Sequence, residues 1–179
     1  MMDDRQVEEI VREVIRQRSA GGKETQSAQK KAPREETAHC TRMTLELALK
    51  LIEKVQERAA QWNMRVVTAV SDAAGHPVAV QCMDGAYIGS FDVALNKTYT
   101  SIAFQMSTEK LGRLSTPGES LYGIQFTNQG RIVIFGGGEL LEQNGEIIGA
   151  LGVSGGTARQ DTELAAYGKA VFEEVIACL

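Results

Sequence analysis

The first apolar pattern along the chain is a narrow one. Val7, Ile10, Val11, Val14 and Ile15 recur at helical spacing, and most positions between them are charged. Glu8–Arg12 and Glu13–Arg16 stand in the favourable i,i+4 and i,i+3 order. This predicts an amphipathic helix over residues 1–18. A helix of that length is marginal alone in water, so its stripe needs a surface to dock on. Residues 19–42, SAGGKETQSAQKKAPREETAHCTR, have almost nothing to bury and read as a flexible linker.

From Met43 to Leu179 the pattern becomes that of one α+β domain. Thr44 can cap a helix whose Ala48, Leu51, Ile52, Val55, Ala59 and Trp62 share a face, and Asn63 suits its left-handed end. Val66–Ser71 and Pro77–Met83 read as the strands of a hairpin turned at Asp72-Ala73-Ala74-Gly75. Asp84-Gly85 is expected to open a helix over Ala86–Gln105, followed by a short helical turn at Thr108–Leu114. Arg131–Phe135 is a β-branched run, and Gly138–Gln143 and Glu146–Ser154 flank Asn144-Gly145, a strong hairpin signal. A last helix is expected over Ala158–Cys178, opened by a capping box of Thr157 and Gln160. The order α-ββ-α-βββ-α predicts a mostly antiparallel sheet with helices packed on it.

Composition narrows the function. The net charge is −4 and the pI near 5.3, so nothing attracts a phosphate backbone and nucleic-acid binding is not expected. No apolar run reaches the ~18 residues of a membrane span. Residues 1–42 carry nine Lys/Arg against eight Asp/Glu, and the stripe is built of small β-branched side chains, so a membrane surface is a poor partner for it. A protein groove, a coiled coil or the chain's own domain remain as docking partners. Cys40, Cys82 and Cys178 form neither a CxxC pair nor a disulfide framework, which points to a reducing cytoplasm.

The chemistry-bearing residues are few. Gly152-Val153-Ser154-Gly155-Gly156 formally matches GxSxG, but no histidine follows Ser154, so a serine hydrolase is not supported. The same glycines leading into a helix can offer backbone N–H groups to a phosphate or carboxylate, or can simply allow close packing. Gly136-Gly137-Gly138 strips side chains from one stretch, leaving either a sharp corner or a surface for something flat. Two histidines, His39 and His76, and three cysteines lie at no recognisable ligand spacing, so a structural zinc is not expected, yet one His, Met, Tyr or Cys suffices as an axial haem ligand. Asp84 reads as a helix cap, and Lys97 as either a solvated charge or an anion partner.

These residues resemble a family. Asp72-Ala-Ala-Gly75-His-Pro-Val, Met83-Asp84-Gly85-Ala86, Ala94-Leu-Asn-Lys97-Thr98, Phe135-Gly136-Gly137-Gly138 and the run Gly145–Gly156 with Asp161 occur in the order of the GlcG/HbpS family, which includes the C-terminal domain of PduO. The resemblance implies a profilin-like fold with a five-stranded antiparallel sheet flanked by helices, a homo-oligomer, and haem as cofactor. Cys82, Lys97-Thr-Tyr-Thr100 and Gly138-Glu139 depart from the family's usual residues. His76 is the expected iron ligand, with His39 as alternative. Asp84, Lys97, Gly136, Gly137, Ser154, Gly155 and Gly156 are the expected cofactor contacts. The N-terminal stripe and linker resemble the encapsulation peptides that dock cargo to shell or cargo proteins of bacterial microcompartments. The reading that follows is a haem-binding accessory protein inside such a compartment of diol or glycyl-radical metabolism. A redox enzyme that assists corrinoid recycling and a ligand-free structural oligomer are the alternatives.

Overall fold

Thr44 starts the first helix: its hydroxyl accepts from the Leu47 amide at 3.2 Å, and α1 runs from Leu45 to Gln61. The computed structural model describes residues 42–178. The stripe Val7, Ile10, Val11, Val14 and Ile15, the linker up to residue 41 and His39 lie outside the described residues. After α1, Asn63 takes the expected left-handed conformation with φ 54°. β1 (Val67–Asp72) and β2 (Pro77–Cys82) then form the first hairpin. β3 (Gly138–Gln143) and β4 (Glu146–Ser154) form the second across Asn144 (φ 52°) and Gly145 (φ 80°), the paired left-handed residues of a type I′ turn. The sheet order is β2-β1-β4-β3, antiparallel throughout.

The two faces of this sheet are packed differently. Val66 and Val70 join Leu141, Leu151 and Val153 against α1 and the last helix, α4 (Ala158–Ala177), in a core with Leu47, Leu51, Ile52 and Phe172. Burying each such large side chain contributes about 1.5–3 kcal/mol. On the other face Val67 and Ala69 meet Ala94 of α2 (Ser90–Phe104). There the contact is a close approach of backbones, because a Cβ at Gly152 would collide with the Ala94 carbonyl oxygen. α3 (Thr108–Leu114) follows, capped by Ser107. The expected capping box opens α4: Thr157 accepts from the Gln160 amide, and Gln160 accepts from the Thr157 amide at 3.0 Å.

Three expectations need correction. The helix expected from Ala86 starts at Ser90, because the chain is still turning at Met83–Ala86, where Gly85 has φ 82°, and at Tyr87–Ser90. Asp84 therefore sits in a turn and caps no helix. The run Arg131–Phe135 is not a strand, so the sheet has four strands where five were expected. Its backbone is bonded to a helix side chain instead of to a neighbouring strand. The Val133 amide donates to Thr100 Oγ1 at 3.0 Å, and the same hydroxyl reaches the Arg131 carbonyl at 3.4 Å. β-branched composition made the run look like a strand, while Thr100 of α2 supplied the pairing a strand needs.

Candidate functional site

The expected site residues fall into separate places along the domain. At the end of β4, Lys97 is fully buried. Its ammonium donates to the Val153 carbonyl at 2.6 Å and to Asp161 Oδ2 at 2.8 Å, and it stands 5.0 Å from the Phe135 ring centroid. Burial pushes the Lys97 ammonium below its usual range, and the Asp161 carboxylate opposes this. Gly137, at φ 110°, makes the space: a Cβ there would stand 2.6 Å from Lys97 Nζ and 2.7 Å from the Val153 oxygen. Gly136 is equally confined, since a Cβ would strike the Thr162 hydroxyl.

The glycine-rich entry to α4 is also satisfied from within. Asp161 Oδ1 accepts from the Gly156 amide at 2.9 Å, and Gln160 takes the Thr157 amide. The helix terminus thus already holds a carboxylate of its own, in the first turn where the macrodipole favours it. Ser154 is buried, and its hydroxyl donates to Ser90 Oγ at 3.2 Å. Outside this bonded network an open groove of about 540 Å³ is lined by Trp62, Met64, Arg65, Tyr87, Gly155 and Gly156. Asp84 is exposed beside groove-lining Gly85.

His76 lies at the opposite end of β1, beyond a strand of six residues, roughly 17–20 Å long. The hairpin turn that carries it is organised by Asp72. Oδ1 of Asp72 accepts from the amides of Ala74 and His76, both at 2.9 Å. Its Oδ2 stands 3.4 Å from His76 Nδ1. Slight burial pushes the Asp72 carboxyl up, but these backbone donors outweigh it and hold the group below its usual 3.8. The imidazole is 79% exposed. With Nδ1 facing a carboxylate, Nε2 is the nitrogen available to a metal, the arrangement in which a second group fixes a ligating histidine. Among the described residues no cluster of three or more His, Cys, Asp or Glu could hold a metal ion.

The structure therefore joins Lys97 and Gly137 to Asp161, and Gly156 to Asp161 as well, but separates all of these from His76. Sequence reasoning placed Asp161 in the motif series without pairing it to Lys97. The two are 64 residues apart, and spacing carries no signal for such a pair. It also missed Tyr99 and Arg131. The Arg131 guanidinium lies 3.7 Å from the Tyr99 ring centroid, and a Cβ at Gly75, next to His76, would stand 3.9 Å from Tyr99 Cδ2. The placement of Tyr99 beside the hairpin turn appears only once α2 is folded against the sheet.

With this geometry described, comparisons with known proteins add the following. A family model described as "Haem degrading protein HbpS-like" matches residues 43–170. The 15.0 kDa protein of the dhaT-dhaS intergenic region of Citrobacter freundii is 44% identical over 133 residues, covering 74% of this chain and 94% of that protein. The corrinoid adenosyltransferase PduO of Salmonella typhimurium is 38% identical over 109 residues, covering 61% of this chain and 32% of that enzyme, so the chain spans about a third of it. Among solved structures, Klebsiella pneumoniae ORFY is 37% identical with a TM-score of 0.72, covering 79% of this chain and 97% of that one. The crystal structure of the PduOC:heme complex is 34% identical with a TM-score of 0.69, covering 72% of this chain and 94% of that one. Among the described residues no helix is long and apolar enough to cross a membrane.

Proposed function

The chain belongs to the HbpS-like family, and from that premise we propose that its domain is a haem-binding accessory module. The observation that carries this reading is the similarity to the PduOC:heme complex over nearly all of that chain. The residues present fit the group at one place in particular. His76 is exposed, its Nδ1 faces Asp72, and its Nε2 would hold the iron. Haem would supply redox-active iron chemistry there, and Asp72 would orient His76 toward it. The aromatic groove around Gly155 and Gly156 is a second surface for a flat ligand, with Arg65 as its cation. Lys97 takes no part in either surface while it is committed to Val153 and Asp161.

The remaining expectations belong to the same proposal. The four-stranded order β2-β1-β4-β3 with helices against both faces supports a profilin-like fold. Tyr87, Ile88 and Phe91 form an exposed apolar patch, Ile88 at 96% exposure, of the kind that supports association into a homo-oligomer. Relatives whose names point to dhaT-dhaS and PduO support a place in a cytoplasmic microcompartment. The stripe Val7, Ile10, Val11, Val14 and Ile15 would be its address. Removing residues 1–18 is expected to leave haem binding intact and to abolish co-purification with shells; retained encapsulation would dispose of that address. The similarity to a corrinoid adenosyltransferase favours one second reading, a redox role beside a corrinoid cofactor. That role requires the haem-loaded protein to change the corrinoid's oxidation state under reductant.

The test of the main reading is a visible-absorbance titration of the full chain with haem. A saturating Soret shift is expected, and His76→Ala is expected to abolish it. A shift that survives in His76→Ala but is lost in His39→Ala would move the ligand to His39. No shift in the unaltered chain would overturn haem binding.

A further inference from the structure

Most arginines of the described domain are occupied. Arg113 pairs with Glu109 at 2.8 Å, Arg159 with Glu163 at 2.9 Å, and Arg58 stacks on Tyr167. Arg131 differs from these. It is exposed, and its guanidinium stacks on the Tyr99 face, 3.7 Å from the ring centroid. Among the described residues it has no carboxylate partner. A stacked guanidinium keeps its orientation while its five N–H donors remain available, and its fork matches a carboxylate in two parallel bonds. Such a group is a receptor for an anion.

Three segments build its seat. Tyr99 comes from α2. Asn128, from the 3-10 turn Asn128–Gly130, donates from Nδ2 to the Tyr99 hydroxyl at 2.9 Å and so fixes the ring. The hairpin turn supplies the third side, since Gly75 packs at the ring edge, immediately before His76. The chain holds Asn128 and Gln129 at φ 51° and 60° on its way to Arg131, a conformation that side chains rarely adopt without compensation. The Arg131 guanidinium therefore stacks on a ring whose edge faces the hairpin turn that carries His76.

We infer that Arg131, seated on Tyr99, reads the carboxylate edge of the ligand that His76 binds, so the hairpin end is selective for a tetrapyrrole with free propionates. This rests on the haem reading and extends it from metal ligation to recognition of the ligand's anionic edge. Asp72, beside His76, repels a carboxylate. Arg131 and Asp72 together thus set the direction in which the propionates point.

The test compares haem with its dimethyl ester, in which both propionates are masked, by visible titration of the full chain. The unaltered protein is expected to prefer the free acid. Arg131→Gln is expected to weaken haem binding about ten-fold while leaving the dimethyl ester unchanged, which removes the preference. Arg131→Lys is expected to restore part of it. Tyr99→Leu, which keeps the charge and removes its seat, is expected to fall between. Equal haem affinity in Arg131→Gln and the unaltered chain would overturn the assignment while leaving haem binding by His76 intact. No haem shift in the unaltered chain would instead overturn the underlying reading.

Discussion

The two ends of β1 solve opposite problems. At the Val67 end, beside Ser154 and the α4 terminus, Lys97, Gly156 and Thr157 are each bonded inside the fold: Lys97 with Val153 and Asp161, Gly156 with Asp161, Thr157 with Gln160. At the Asp72 end the polar groups are held in place but left open, His76 by Asp72 and Arg131 by Tyr99. Glycines are dense at the first end, where they admit buried groups. At the second end Gly75 lets a turn approach an aromatic ring, and Gly149, opposite Asp72, again serves a close backbone approach. Glycine density therefore marks close packing in this domain, and the exposed charge carried by a rigid turn is the better sign of binding.

The strongest way to break the contrast is to open the closed end. Lys97→Met would leave Asp161 buried without its cation, and removing one partner of a buried pair costs about 3–5 kcal/mol. Denaturant unfolding measures the loss. The pair also carries a pH signature. The ammonium titrates lower in the folded state than its unfolded 10.5, so between those two values the unfolded chain binds the extra proton. The Lys97 contribution to stability therefore rises as pH climbs toward 10.5, and Lys97→Met should lack that rise. A wild-type curve parallel to the variant's across that window would refute the sign.

Next in size is Gly137→Ala. Its Cβ would press on Lys97 Nζ at 2.6 Å and on the Val153 oxygen at 2.7 Å, on a backbone at φ 110°. A left-handed position alone makes such a change cost more than the ~0.4–1 kcal/mol that removing a glycine otherwise gains. The added contacts raise that cost. A lowered thermal midpoint with an unchanged His76 response to haem would show that the two ends are independent. Coupled loss of both would deny it.

Both variants address what the sequence left hidden. Local chemistry was legible wherever a short segment decides its own conformation. Asn144-Gly145 announced its turn, Thr157 with Gln160 its capping box, and the α1 stripe its buried face as far as Ala59, although Trp62, expected on that face, is exposed beyond the helix end. Segments whose fate depends on a distant partner were not legible. Arg131–Phe135 has strand composition, but Thr100 captures its backbone. The Gly155-Gly156 segment has the form of an anion cradle, but Asp161 already supplies the anion. His76 was legible as a candidate ligand because so few residues could serve, whereas its Asp72 support follows from the turn's geometry. Tyr99 and Arg131 lie 32 positions apart and meet only through the packing of α2.

The smallest structural perturbation is the most telling for function. Asp72→Asn keeps an oxygen at Oδ1, so the amides of Ala74 and His76 retain their acceptor and the turn should persist. What changes is the other atom: the negative oxygen 3.4 Å from His76 Nδ1 becomes an amide without charge. With both acceptor bonds of the part-buried turn kept, the stability lost should be about 1 kcal/mol or less. Groups that orient a ligating histidine nevertheless cost about 10–100-fold in metal affinity when lost. Asp72→Asn should therefore unfold like the unaltered chain yet need a correspondingly higher haem concentration for half of the Soret shift. If the hairpin merely displayed His76 as a tethered imidazole, the two titrations would superimpose, and the open end would be no more prepared for a ligand than any exposed histidine.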